Sequence, residues 1–467
     1  MAPRIYVGRF DPQFLGVSIR ASNPSDVYSF RLHDRSGVAP VAVLDELGDD
    51  AMISDLSRQT VLDHELRHFR DSLLFPFGAR IISSRLHASY NGFQVAMSLK
   101  RLGGDASALP VPLQQWLRMP AAERDAFIVG ETAFAGTRLR PPPLPVIPAD
   151  DDVSEFAAGG MSLDKEDQIR LVGCRLALAD YRMGESLWRS PHAEGEKMVS
   201  PAVDIWEAAG LICQLAAIER YAGEPLMQRF IRWMEQRGPN TYRRGLAVLT
   251  WCLGKLGWPP TLRNHLTLTT WAQMGAYATE MSESSPAHRL ATLVSATAHG
   301  SRWSSDSAFT DLVRDWDAVA GADSFAALRA ATVRFGEFCG RTVRTQGMPS
   351  LPAELFTSLA NARERMLAAF LADPDSYVDP VAYLAQETRY PLPCVGLEYS
   401  SGALGSDWTD VTPVDWSPVV SFDNTLSLVG LSLLSDAVFL PGEKSLQRNG
   451  RHAILQALDL RALRIIR

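Results

Sequence analysis

Cysteine is scarce in this chain, and no two cysteines are paired by spacing. Cys174, Cys213, Cys252, Cys339 and Cys394 are scattered over 467 residues with no C-x-x-C unit. No disulfide scaffold or thiolate metal knuckle is encoded, and reduced core cysteines in a cytoplasmic protein are expected. Long apolar runs are missing too. Even LSLVGLSLLSDAVFL is interrupted by serines and Asp436, and it falls short of the roughly 20 apolar residues of a membrane span. The opening MAPRIYVGRFDPQF has no basic segment leading into an apolar one, so no secretory signal is expected. Lysine is nearly absent: Lys100, Lys165, Lys197, Lys255 and Lys444 are the only five, and the other 41 basic residues are arginines. That bias reads as codon usage of a GC-rich bacterium. With a net charge of −7 and a pI near 5.8, the basic footprint of a nucleic-acid binder is lacking. There is also no phosphate-cradling glycine loop and no G-x-S-x-G elbow.

Histidine is sparse as well, with nine in all, yet two of them stand four apart in His64-Glu65-Leu66-Arg67-His68. On a helix, residues four apart point nearly the same way, so both imidazoles can address one ion. Glu65 sits ~100° round the helix, placed to take a proton from a water without filling a ligand position. Zinc suits two such imidazoles, and it lowers the pKa of its water toward ~7. The pattern therefore predicts a Zn2+ site with Glu65 as general base.

The flanks predict a helix. Ser54 or Asp55 can cap its start and Pro76 forces the preceding residue out of helical geometry, leaving roughly five turns between them. Leu62, Leu66, Phe69 and Leu73 recur at i, i+4, i+7 and i+11 as a core-facing stripe. His64 and His68 fall on the opposite side, where a cleft is expected. Asp71 shares the histidine face and is expected to accept a ring N–H and so fix a tautomer. The competing reading is a solvated helix face that happens to carry two histidines.

On the H-E-x-x-H string, the chain resembles the zincin superfamily of zinc metallopeptidases, in which the motif supplies two ligands and the catalytic glutamate. The metzincin extension is missing, because Asp71 stands where the glycine would be and Leu74 where the third histidine would be. The aspzincin signature fails at Arg140, after Gly136-Thr137-Arg138-Leu139. What remains resembles a gluzincin arrangement, which implies a distant glutamate as third ligand. The resemblance further implies a small twisted sheet ahead of the metal helix, with an edge strand lining the cleft that could align an extended peptide.

We assign the third ligand to Glu207. The segment from Val203 to Ala222 is apolar nearly all round and reads as a buried helix, and Glu207 shares a face with Val203, Gly210, Leu211, Gln214 and Ile218. A carboxylate in such company is costly unless it is paired or metal-bound. Pairing with an arginine is the alternative, and Glu131, in FIVGETAF, is the competing ligand.

The runs IYVGRF, FLGVSIRA and VYSFRLH predict the small sheet. PPPLPVIPADDDVSEF reads as an exposed connection, amphipathic helices fill 241–390, and the last seventy-odd residues mix strand and helix. The expected fold is α+β, mainly α: a zincin-like core with a small N-terminal sheet plus an added helical region. Its expected divisions are 1–240 (metallopeptidase), 241–390 (helical) and 391–467 (mixed). The expected function is zinc-dependent hydrolysis of a peptide or protein amide bond in the cytoplasm, without nucleic-acid or membrane partners. The alternatives are a zincin-like binding or scaffold protein without turnover, and a zinc hydrolase of a non-peptide amide.

Overall fold

The segment DDAMISDLSRQTVLDHELRHFRDSLL contains neither proline nor glycine, the two residues that cost a helix interior most, and it folds as one unbroken helix. The computed structural model of the protein describes residues 7–11, 15–21, 48–102, 108–111, 191–193, 199–275, 285–297, 303–344, 350–386, 389–400, 406–425 and 462–465, with single positions within 170–181 and at 428 and 432. In chain order the named elements are β1 (Val7–Asp11), β2 (Gly16–Ala21), α1 (Asp49–Leu74), α2 (Pro76–Leu102), β3 (Ala108–Val111), β4 (Pro191–Ala193), β5 (Val199–Pro201), α3 (Ala202–Ala222), α4 (Glu224–Arg237), α5 (Asn240–Leu256), α6 (Leu262–Gln273), α7 (Pro286–Thr297), α8 (Phe309–Ala320), α9 (Ser324–Arg344), α10 (Ser350–Ala372), α11 (Pro374–Val378), α12 (Pro380–Ala385), β6 (Val395–Ser400), β7 (Ser406–Asp410) and β8 (Ala462–Ile465). The described chain is mainly helical with small sheets, and none of its helices is long and apolar enough to cross a membrane.

Helix α1 starts at Asp49, earlier than the Ser54 or Asp55 cap that its sequence suggests. The extra turn is held by packing: Met52, Ile53 and Leu56 are buried against Leu211 and Leu215 of α3 and Leu226 of α4. Asp55 instead accepts from the side chains of Arg58 and Gln59. The other end is as expected, with Phe75 extended (ψ 144°) ahead of Pro76. Arg363 of α10 is buried there and donates to the carbonyls of Leu73 and Leu74. It satisfies acceptors that a helix C-terminus leaves open and sets a cation at the negative end of the dipole. At the turn into α2, a Cβ on Gly78 would lie 2.8 Å from the Cα of Ser72, so only glycine allows so close a return.

Helix α3 is buried over most of its length, as its all-round apolar sequence demands. It packs against α1, α4, α5, α6 and α12. The larger sheet has the order β1-β2-β6-β7, with β1 antiparallel to β2 and β2 parallel to β6. Val17, Ile19, Val395 and Leu397 from its strands bury against Val61 of α1. Strand β1 forms one edge of this sheet and packs on α1.

Contacts divide the chain into two units: 1–80 with 184–399 and 408–422, and 81–183 with 400–407 and 423–467. The sequence boundaries at 240 and 390 do not appear in this division. The reason is visible in the first unit, where β6 pairs with β2 and α6 and α12 pack on α3, so residues on both sides of each boundary share one core. VYSFRLH, the proline-rich stretch and Glu131 lie outside the described residues.

Candidate metal centre

Burial of α1 extends to its polar residues. Thr60, Asp63, His64, Glu65, Arg67, His68, Arg70 and Asp71 are all buried alongside Leu66, Phe69 and Leu73. The histidine face therefore does not border an open cleft, as its phase suggests; it packs against α3. Buried polar and charged groups are costly unless they are paired or bound to an ion. Around α1 they gather into two clusters, one carrying His64, Glu65 and His68 and the other carrying Arg67 and Asp71.

In the first cluster, Nε2 of His64 lies 2.9 Å from Nε2 of His68. Oε2 of Glu207, from α3, lies 3.3 Å from the former and 3.4 Å from the latter. Among the described residues, these three form the one group of histidine, cysteine or acidic side chains spaced to hold a metal. A tetrahedral zinc with bonds of ~2.0–2.1 Å has ligand atoms about 3.3 Å apart, which is close to all three edges of this triangle. The donors also fit in kind, being two imidazole nitrogens and one carboxylate oxygen. Two imidazole lone pairs facing each other at 2.9 Å repel unless a proton or a cation lies between them, so the geometry calls for positive charge at its centre. Glu207, placed by sequence on the buried face of α3, meets both histidines, and among the described residues no arginine pairs with it. Its side chain is 23% exposed, against 2% for His64 as a residue and 1% for His68, so the triangle meets solvent on the Glu207 side.

Electrostatics in the triangle favour separated charge. Burial works against ionisation of Glu207, but hydrogen bonds and charge from both histidines outweigh it and hold the carboxyl far below the usual range. Burial likewise works against a charged His64, yet Glu207, Glu65 and Gln214 together raise its pKa. Glu65 is pushed above the ordinary carboxyl range by burial, with the neighbouring imidazoles and the Phe10 N–H opposing.

Glu65 does not join the triangle. Its Oε2 accepts from the main-chain N–H of Phe10 in β1 at 2.6 Å, which fixes the carboxylate beside the two histidines. The Phe10 ring packs edge-on against Phe69 at 5.7 Å and tilts toward Trp206 at 6.4 Å. Trp206 stacks on His68, with centroids 3.5 Å apart and planes at 16°. Tyr242 of α5 lies 5.3 Å from the His64 ring. Its phenol is driven well above its ordinary pKa by burial and by the carboxylates of Glu207 and Glu65, so it stays protonated. Phe10, Trp206 and Tyr242 left no signal in the sequence, because aromatic residues among apolar neighbours read as packing.

Gly210 is a further part of the site. A Cβ there would lie 2.8 Å from Cδ2 and Nε2 of His64 and from Cε1 of His68. It sits three residues after Glu207, on the same face of α3, so one helical turn supplies both a carboxylate and the space for two rings. That spacing was legible in sequence, but its purpose was not. Gly210→Ala is expected to weaken zinc affinity at least tenfold, as disturbance of groups supporting a ligand does, while alanine favours the helix by roughly 0.5–1 kcal/mol. Zinc competition titration beside thermal unfolding separates the two effects, and unchanged affinity would show that the rings tolerate the methyl group.

Asp71 requires a correction. It does not orient either imidazole. Its Oδ1 accepts from the Tyr377 hydroxyl at 2.7 Å and faces Nε of Arg67 at 2.9 Å, and its Oδ2 accepts from Gln273 at 3.1 Å. Nδ1 of both histidines is buried without a partner in hydrogen-bonding geometry. Arg67 also donates to the Tyr377 carbonyl and to Thr270, each at 2.9 Å, and lies 4.0 Å above the Tyr377 ring. Asp71 therefore belongs to the second cluster, which ties α1 to α6 and α11. Helix phase alone could not show this, because Arg67 stands one turn away on the same helix while the other two donors, Gln273 and Tyr377, come from more than 200 positions away. Comparison with protein-family models, curated proteins and solved structures finds no match for this chain.

Proposed function

We propose that the protein is a zinc-dependent hydrolase of peptide or protein amide bonds, built on a zincin-like core, with His64, His68 and Glu207 as metal ligands and Glu65 as general base. The observation that carries this reading is the 2.9–3.4 Å triangle of two imidazole nitrogens and one carboxylate oxygen with a second, fixed carboxylate beside it. Zinc held by such donors supplies Lewis acidity and a water acidified toward pKa ~7. Glu65 takes the proton of the attacking water and returns it to the leaving amine. A base is most effective when its pKa lies near the working pH, and the upward shift of Glu65 moves it that way. The hydrogen bond from Phe10 secures Oε2 and leaves Oε1 for proton transfer. Tyr242 contributes a neutral O–H on the same wall, suited to donate to a carbonyl oxygen as it gains charge. Trp206 and Phe10 keep water from the rest of the site.

The test compares new protein termini in cells expressing the wild type with those in cells expressing Glu65→Gln at equal abundance. Cleavages present only with the wild type are expected. Identical sets of termini would contradict peptidase activity and favour a binding role.

A further inference from the structure

An imidazole that binds metal through Nε2 carries its proton on Nδ1, and a buried N–H of this kind requires an acceptor. Trp206 covers His68 by stacking. Tyr242 lies 5.3 Å from the His64 ring, but a ring contact of this kind does not accept the Nδ1 proton; Asp71 is engaged elsewhere, and Nδ1 of His64 is buried without a partner in hydrogen-bonding geometry.

Gln214 is the polar side chain of α3 that meets this need. It follows Glu207 by seven residues and Gly210 by four, so all three share one face of the helix. It is buried, and its Nε2 donates to Oγ1 of Thr60 at 3.2 Å. Thr60 in turn donates to the carbonyl of Leu56 at 2.7 Å. Because the threonine proton is committed to Leu56, its oxygen must accept from glutamine, which assigns the amide: NH2 toward Thr60, carbonyl oxygen left as an acceptor. Thr60 stands one turn before His64 on α1. Gly210, one turn before Gln214 on α3, abuts the His64 ring, and Gln214 itself reaches Thr60 one turn before His64, so the glutamine stands in the same layer as that ring.

We infer that Gln214 is the positioning residue of the metal centre, its carbonyl oxygen accepting the Nδ1 proton of His64 and thereby fixing the tautomer that turns Nε2 toward the metal. The inference rests on the metal-centre reading above. The chain Leu56–Thr60–Gln214–His64 runs from one turn of α1 through α3 and back to α1, so the ligand helix is itself part of the clamp. Gln214 touches neither substrate nor metal and acts only through His64.

The test uses the full chain with zinc as the probe. Affinity is measured by competition with a chromophoric chelator, folding by thermal unfolding of the metal-free protein, and the tautomer by 15N chemical shifts and exchange of the His64 Nδ1–H. Gln214→Met matches the shape but removes the acceptor, and it is expected to weaken zinc binding roughly 10- to 100-fold and to expose the Nδ1 proton to fast exchange. Gln214→Glu keeps an acceptor and is expected to restore both. A merely structural role would lower the unfolding temperature of Gln214→Met without moving the tautomer signal. Wild-type affinity and wild-type Nδ1–H exchange in Gln214→Met would overturn the inference. If the wild type itself takes up no zinc, the metal-centre reading fails first, an outcome distinct from a zinc-binding wild type matched by Gln214→Met.

Discussion

Replacing His64 or His68 by alanine is expected to leave protein that purifies without zinc, whereas Glu65→Gln is expected to retain about one zinc per chain and to lose turnover by roughly 10²- to 10⁴-fold. Each histidine supplies one corner of a three-atom triangle. Removing a corner leaves two donors, so the loss should exceed the roughly 10- to 100-fold that follows from removing a group behind a ligand. Glu65 supplies no corner. The glutamine amide in its place keeps an oxygen to accept from the Phe10 N–H, so the geometry is retained while the basic carboxylate is lost. Metal analysis of the dialysed variants reads the first half of this contrast, and release of new termini reads the second. Zinc content at the wild-type level in both histidine variants would contradict the assignment of the motif.

The largest effect on stability is expected at Asp71. Asp71→Ala would leave the Arg67 guanidinium fully buried without its carboxylate and deprive the Tyr377 hydroxyl and the Gln273 amide of their acceptor. Removing one partner of a buried ion pair typically costs about 3–5 kcal/mol, because the remaining charge is uncompensated. Urea unfolding should show this loss as a lower midpoint, while the fraction that remains folded binds zinc with an affinity close to wild type. The opposite pattern, an unchanged midpoint with weakened zinc binding, would return Asp71 to the role suggested by its position on the helix wheel.

How much was legible in the sequence depends on whether the information is local. The existence of α1, its end before Pro76 and the shared face of His64 and His68 follow from spacing and backbone sterics. The burial of α3 follows from its apolar composition, and the presence of Glu207 in the site from the cost of a carboxylate in that setting. The early start of α1 was not legible, because it depends on Met52, Ile53 and Leu56 meeting residues of α3 and α4 more than 150 positions away. The role of Asp71 depends in part on the same kind of distant contact, since Gln273 and Tyr377, together with Arg67 one turn earlier on α1, take its oxygens in place of the imidazoles. The pairing of β6 with β2 joins residues 16–21 to 395–400, and no composition change marks it. Gly210 and Gln214 stood on the correct face in sequence, but only the packed rings of His64 and His68 give them a task.

Zinc content of Glu207→Ala beside Glu131→Ala tests the central claim most directly, with both variants purified in parallel and dialysed against the same weak chelator. The geometry predicts that Glu207→Ala loses its zinc and that Glu131→Ala retains about one per chain. Loss of zinc from Glu131→Ala alone would contradict the assignment of His64, His68 and Glu207 as the metal centre.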